Sequence, residues 1–131
     1  MTKLNDKAIT LLRGKNIAYL STLNADGSPH TTPVWVETDG KHVLINTKIG
    51  RVKERNVARD ARVAVAVHDA ADPYSWFSMD GKVVKTITGK KATDHIDELS
   101  YKYTGSKRYQ GPPGEKRVIL VIEPTRIRER M

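Results

Sequence analysis

Three extended segments follow one another almost without interruption: Ile17-Ala18-Tyr19-Leu20-Ser21-Thr22-Leu23, then His30 to Thr38, then His42 to Thr47. Only turn chemistry separates them, Asn24-Ala25-Asp26-Gly27 in the first gap and Asp39-Gly40 in the second. Parallel neighbours need a crossover of a dozen or more residues, so these strands pair antiparallel and a doubly wound sheet is excluded. Pro33 cannot donate to a ladder, which puts the second segment at an edge or bulges it near its middle.

The flanking sequence extends this pattern. Before the run, Leu4, Ala8, Leu11 and Leu12 share one face of a short helix over 4–13, with Asn5 or Asp6 as its cap and Gly14 as its stop. After it, Gly50 introduces a short helix over 51–59. In the strand Arg62 to His68, Val63, Val65 and Val67 line one face, and Ala64 and Ala66 leave the other open to close approach. Trp76 to Ile87 reads as two strand halves around Asp80-Gly81, a turn or a bulge. Ala92, Ile96, Leu99 and Tyr103 mark the clearest helix, over 91–103. A Gly/Pro-rich loop spans 104–115. Val118 to Ile122 is apolar without a break, as in a strand covered on both faces, and Thr125 to Arg128 adds a last short strand. The fold class is mainly β (α+β), a six-stranded antiparallel barrel with peripheral helices.

The chain has 131 residues, which is the size of one domain over 1–131. With 38% apolar and 29% charged residues, it is too apolar for a disordered chain. The absence of cysteine excludes disulfides, thiolate metal sites and cysteine nucleophiles. No apolar run approaches the roughly 20 residues of a membrane span, and Met1-Thr2-Lys3-Leu4 lacks a secretory stretch, so a cytoplasmic protein is expected. The net charge of +8 is concentrated in residues 48–62 and 102–131, and such patches face phosphate or carboxylate groups.

Hydrolytic and metal chemistry find no support. His30, His42, His68 and His95 show no ligand spacing, so no metal is expected. Ser21, Ser28 and Ser75 lack a nucleophile elbow, and the glycine-rich phosphate motifs are missing. The segment Asn46-Thr47-Lys48-Ile49-Gly50-Arg51-Val52-Lys53-Glu54-Arg55-Asn56 differs, because it runs from a strand end into a helix start. Free helix N–H groups, guanidinium and ammonium together suit a phosphate. On an ideal helix Arg51 and Lys53 point about 200° apart, so they converge only if Arg51 lies outside the helix. A solvated charged face explains the same residues.

Three stretches in order resemble a known family. They are Ala18 to Leu23 through Asp26-Gly27-Ser28-Pro29-His30 to Pro33-Val34-Trp35; Thr47 through Arg51-Val52-Lys53-Glu54-Arg55-Asn56 to Asp60-Ala61-Arg62-Val63; and Arg117 to Pro124. The chain resembles, over nearly its whole length, the flavin-binding split β-barrels of the pyridoxamine 5′-phosphate oxidase-like superfamily, and among them the small deazaflavin (coenzyme F420)-dependent reductases. The resemblance implies a homodimer with cofactor sites at the subunit interface. It implies that Val34, Trp35 and Val36 lie along the ring and hold its polar edge through main-chain groups. Asn46, Thr47 and Lys48 would line the ring and ribityl chain, and Arg51 and Lys53 would hold the phosphate. Trp76 or Phe77 would reach in from the partner subunit.

The implied activity is hydride transfer between bound F420 and an unsaturated small molecule, the cofactor carrying the chemistry. Tyr74, Ser75 or solvent would protonate the product. FMN is the alternative cofactor, and a carrier without turnover needs the same binding groups. The alternative from another class, a basic β-barrel that binds nucleic acid, needs a row of stacking aromatics, and aromatics are only 6% of this chain.

Overall fold

Asn5 starts the first helix by accepting the Ala8 N–H at 2.9 Å, which satisfies one of the donors a helix start leaves open. The structure, a computed structural model, describes residues 2–129. Met1 of the N-terminal reading, and Arg130 and Met131 of the basic C-terminal window, lie outside the described residues. In chain order the elements are α1 (Asp6–Arg13), β1 (Ala18–Leu23), β2 (Pro29–Val34), β3 (Glu37–Thr38), β4 (Val43–Lys48), α2 (Val52–Arg59), β5 (Arg62–His68), β6 (Trp76–Ile87), α3 (Lys90–Thr104) and β7 (Arg117–Glu129).

Seven strands form one antiparallel sheet in the order β2-β1-β5-β6-β7-β4-β3. The expectation of six strands is corrected at two places. The segment 30–38 is not one strand: it leaves the ladder at Trp35 and Val36 and resumes as β3 on the opposite edge of the sheet. Side chains from α3 cause the break. The Val36 N–H donates to Tyr103 Oη at 3.1 Å, and the Val36 carbonyl accepts from Lys102 Nζ at 2.7 Å. Conversely, 118–122 and 125–128 are one continuous strand, β7.

The break at Trp35 and Val36 fixes the shape. Only three Cα steps separate Val34 from Glu37, a reach of at most about 11 Å. The two sheet edges are therefore drawn together, and the sheet curls into a barrel that stays unpaired between β2 and β3. Pro33 sits on the edge strand β2, as expected.

Alternation fills the interior. Val63, Val65 and Val67 point inward beside Leu20, Phe77, Met79, Ile45 and Leu120, and α1 adds Ala8, Leu11 and Leu12. Strand β7 is covered on both faces. Val118, Leu120 and Ile122 enter the barrel, while Ile119 and Val121 pack against Ala92 of α3. The turn-or-bulge at Asp80-Gly81 is a bulge, where the β6–β7 register shifts. A Cβ on Gly81 would lie 2.8 Å from the Glu123 carbonyl, so only glycine permits that approach.

Lys102 joins three elements. Its Nζ donates to the Leu12 and Val36 carbonyls at 2.7 Å each and to Glu37 Oε2 at 3.3 Å. Burial pushes its pKa down, and the Glu37 carboxylate partly offsets this.

Candidate functional site

Strand β4 ends at Lys48, Gly50 turns with φ +95°, and α2 begins at Val52. Glu54 reaches back to accept the Gly50 N–H at 2.9 Å, which closes the turn. Arg51 is the N-cap, with extended backbone (φ −67°, ψ 158°) and no side-chain cap on the helix. It lies outside the helix, which is the condition for Arg51 and Lys53 to converge.

Both do line one cavity, of about 390 Å³, with Ile17, Pro33, Val34, Trp35, Asn46, Thr47, Lys48, Ile96, Tyr109 and Arg117. One wall is the end of β2 and the crossing at Trp35, and another is the end of β4. Trp35 stacks on Tyr103 with ring centroids 5.4 Å apart and 5° between planes, and it meets Tyr109 edge-on at 6.1 Å. Tyr103 is itself fixed. Its hydroxyl donates to the Asn16 carbonyl at 2.6 Å, and burial is the main reason its pKa is pushed up to about 12.

The cationic end has unusual electrostatics. Burial, with Arg51 and Arg117 nearby, pushes the Lys53 pKa below the usual lysine value. Cations so placed disfavour one another's charge, and an anion between them relieves that cost. The open first turn of α2 adds its N–H groups and the positive end of its dipole. The donor set fits a phosphate, and the stacked aromatics and Thr47 beside it fit the body of a flavin or deazaflavin.

Seven of the residues expected at a cofactor lie together here: Val34, Trp35, Asn46, Thr47, Lys48, Arg51 and Lys53. Three do not. Val36 is wholly buried, and its N–H and carbonyl are taken by Tyr103 and Lys102, so it offers no main-chain group to a ligand. Phe77 is wholly buried in the barrel opposite Val67, which bars it from reaching a partner subunit. Trp76 pairs with His68 at the start of β6, away from the cavity lining of the single chain. Tyr74 and Ser75 also lie outside the lining.

Tyr109 comes from the Gly/Pro-rich loop over 104–115, and Arg117 was not expected as a ligand contact, since no local signal marks it. Arg117 pairs with Lys48 across the β4–β7 ladder, a register that the isolated sequence does not display. Its guanidinium sits over the Tyr109 ring at 5.1 Å, reaches Glu115 at 3.1 Å, and donates from Nε to Asn46 Oδ1 at 2.9 Å. Three of the four histidines hold local structure: His42 contacts Asp39, His68 the Asp69 carbonyl, and His95 the Asn46 amide.

The model of the family described as Pyridoxamine 5'-phosphate oxidase matches residues 4–131. A Mycobacterium tuberculosis protein named F420H(2)-dependent biliverdin reductase is 30% identical over 129 residues, which is 96% of this chain and 88% of that one. A 5a,11a-dehydrotetracycline/5a,11a-dehydrooxytetracycline reductase of Streptomyces rimosus is 40% identical over 67 residues, 48% of this chain and 47% of its own. A solved F420 reductase structure superposes with a TM-score of 0.78 at 26% identity, covering 91% of this chain and 94% of that one.

Proposed function

The chain belongs to the pyridoxamine 5′-phosphate oxidase family, and we propose that it is an oxidoreductase that uses coenzyme F420 to reduce an unsaturated small molecule. The observation that carries this reading is the cluster of Arg51, Lys53 and Arg117 at the open start of α2, at one end of the cavity walled by Trp35. The relatives named for F420-dependent reduction support the deazaflavin. Beside the cavity, a basic cleft lined by Lys48, Ile49, Pro112 to Gly114, Glu115 and Lys116 shares Lys48 with it. That cleft suits the coenzyme's polyglutamyl tail, which FMN lacks, and this favours F420 over FMN.

When bound, the coenzyme supplies the hydride donor. The residues of the chain bind and orient it. Arg51 and Lys53 hold the phosphate, Thr47 and Lys48 border the ribityl chain, and the Pro33–Trp35 wall bounds the ring and limits water. As in the expectation from sequence, the domain spans 1–131 and the active species is a cytoplasmic homodimer. The small residues Ala64, Ala66 and Ser78, on the outward face of β5 and β6 near the Tyr19–His68 stack, are the surface a second copy would approach. No described helix is long and apolar enough to cross a membrane. Nucleic-acid binding is disfavoured, because the exposed tyrosines Tyr19, Tyr74 and Tyr101 lie on β1, a loop and α3 rather than in one row.

Fluorescence titration with F420 and with FMN, at two salt concentrations, tests the cofactor. Reduced F420 with enone acceptors then tests turnover against carriage alone. The double change Arg51→Ala, Lys53→Ala should weaken coenzyme binding by about 10²- to 10⁴-fold, given about 1.5–3 kcal/mol for each charged hydrogen bond. Unchanged affinity would sink the assignment.

A further inference from the structure

The Asn46 side chain is wedged between two partners that leave it no choice of orientation. Arg117 has only donors, so the 2.9 Å contact from its Nε fixes the nearer amide atom as Oδ1. The Ala92 carbonyl only accepts, so the 2.9 Å contact there fixes Nδ2. Nδ2 also lies 3.1 Å from His95 Nδ1, which must then be the unprotonated, accepting nitrogen. His95 is buried, and burial lowers its pKa despite the Glu37 carboxylate, so the neutral ring that this geometry requires is the favoured one. Both amide hydrogens are thus spent inside the protein, and Oδ1 already accepts from Arg117. Asn46 borders the cavity but has no hydrogen left for a ligand.

Arg117 is in the opposite position. Its Nε–H is committed to Asn46, Nη1 is ion-paired with Glu115 at 3.1 Å, and its side chain is 10% exposed. A guanidinium carries five N–H donors, and this one lines the same cavity as Arg51 and Lys53. A buried guanidinium that meets a neutral amide at Nε and the Glu115 carboxylate at Nη1, and lines one cavity with two other cations, leaves that cavity with an excess of positive charge suited to a further anion.

We propose that Arg117 is a third phosphate-binding cation of this site and that Asn46, locked by Ala92 and His95, is the positioning residue that aims it. This rests on the phosphate reading of the cavity given above. It reassigns Asn46 from a contact with the ribityl chain to a support for Arg117.

The test follows arginine Nε–H and backbone amide NMR signals of the full chain during titration with inorganic phosphate, for the wild type and for Asn46→Leu. In the wild type, Arg51, Arg117 and Lys53 should shift along one saturable curve. In Asn46→Leu the Arg117 response should vanish and phosphate affinity fall about tenfold or more, while the Arg51 and Lys53 signals still shift. Three results overturn the proposal: no saturable phosphate response, an Arg117 signal that stays still in the wild type while Arg51 and Lys53 move, or an Asn46→Leu variant whose Arg117 signal and phosphate affinity match those of the wild type. The second is read in the wild type and so does not depend on the variant folding. Saturable phosphate binding at all three cations, with neither F420 nor FMN bound, would uphold this proposal and defeat the proposed function.

Discussion

Replacing Tyr103 with Phe removes one oxygen atom and should cost the protein about 2–3 kcal/mol. That hydroxyl donates to the Asn16 carbonyl at 2.6 Å and accepts the Val36 N–H at 3.1 Å. Val36 is wholly buried and Asn16 nearly so, so neither group finds water when the oxygen is gone. A stranded buried donor or acceptor costs about 1–3 kcal/mol, and the shorter contact to Asn16 sets the larger share. The ring remains and keeps its stacked contact with Trp35, so no cavity term is added. Urea unfolding should show an unchanged slope with a lowered midpoint, and the thermal midpoint should fall by roughly 10 °C for a chain of this length. The crossing at Trp35 and Val36 should also loosen, read as faster hydrogen exchange at the Val36 amide than at β5 amides. A loss below about 0.5 kcal/mol, on the scale of a surface substitution, would falsify the claim that this hydroxyl holds the crossing in place.

Phe77→Ala should destabilise by about 3–5 kcal/mol, the usual cost of emptying an aromatic site in a core, with coenzyme affinity of the folded fraction unchanged. A weakened affinity at constant stability would instead place Phe77 at the ligand. His95 gives a pH dependence. Its folded pKa is depressed, so its contribution is complete above the unfolded value of about 6.5 and is lost as pH falls through the folded value. Stability of the wild type should therefore decline on acidification below about pH 6.5 more steeply than that of His95→Gln, measured by urea midpoints at matched ionic strength. Parallel profiles would mean that His95 titrates alike in both states.

The parts legible in the sequence were those decided by short-range chemistry. The four apolar residues of α3 at helical spacing, the alternation of Val63, Val65 and Val67, and a cap at Asn5 or Asp6 depend on neighbours a few residues away, whereas the choice between turn and bulge at Asp80-Gly81 is made by Glu123 on β7. The helix expected over 51–59 took in Arg51, whereas α2 starts at Val52 with Arg51 as its N-cap, a one-residue difference that local chemistry does not decide. The division of 30–38 was not legible, since it depends on Tyr103 and Lys102, more than sixty residues downstream. Arg117 joined the site through a ladder pairing with Lys48. Phe77 was closer to reach. Phe77 and Met79 alternate with Ser78 and Asp80, and continuing that alternation would have turned Phe77 inward and left Trp76 outside.

Strand β7 lies between β6 and β4, although it is made last among the described elements. During synthesis β1, β2, β5 and β6 can pair as they emerge, but β4 and β3 have no partner on the growing sheet until residues 117–122 arrive. Such distant pairings are slow to close and leave a strand edge unpaired meanwhile. Arg117 opens that last strand, whereas Arg51 and Lys53 follow the waiting one, so the three cations meet only at the final docking step. Coenzyme therefore has nothing to recognise in a nascent or half-assembled chain. By mass action, binding to the finished sheet alone draws the population toward it.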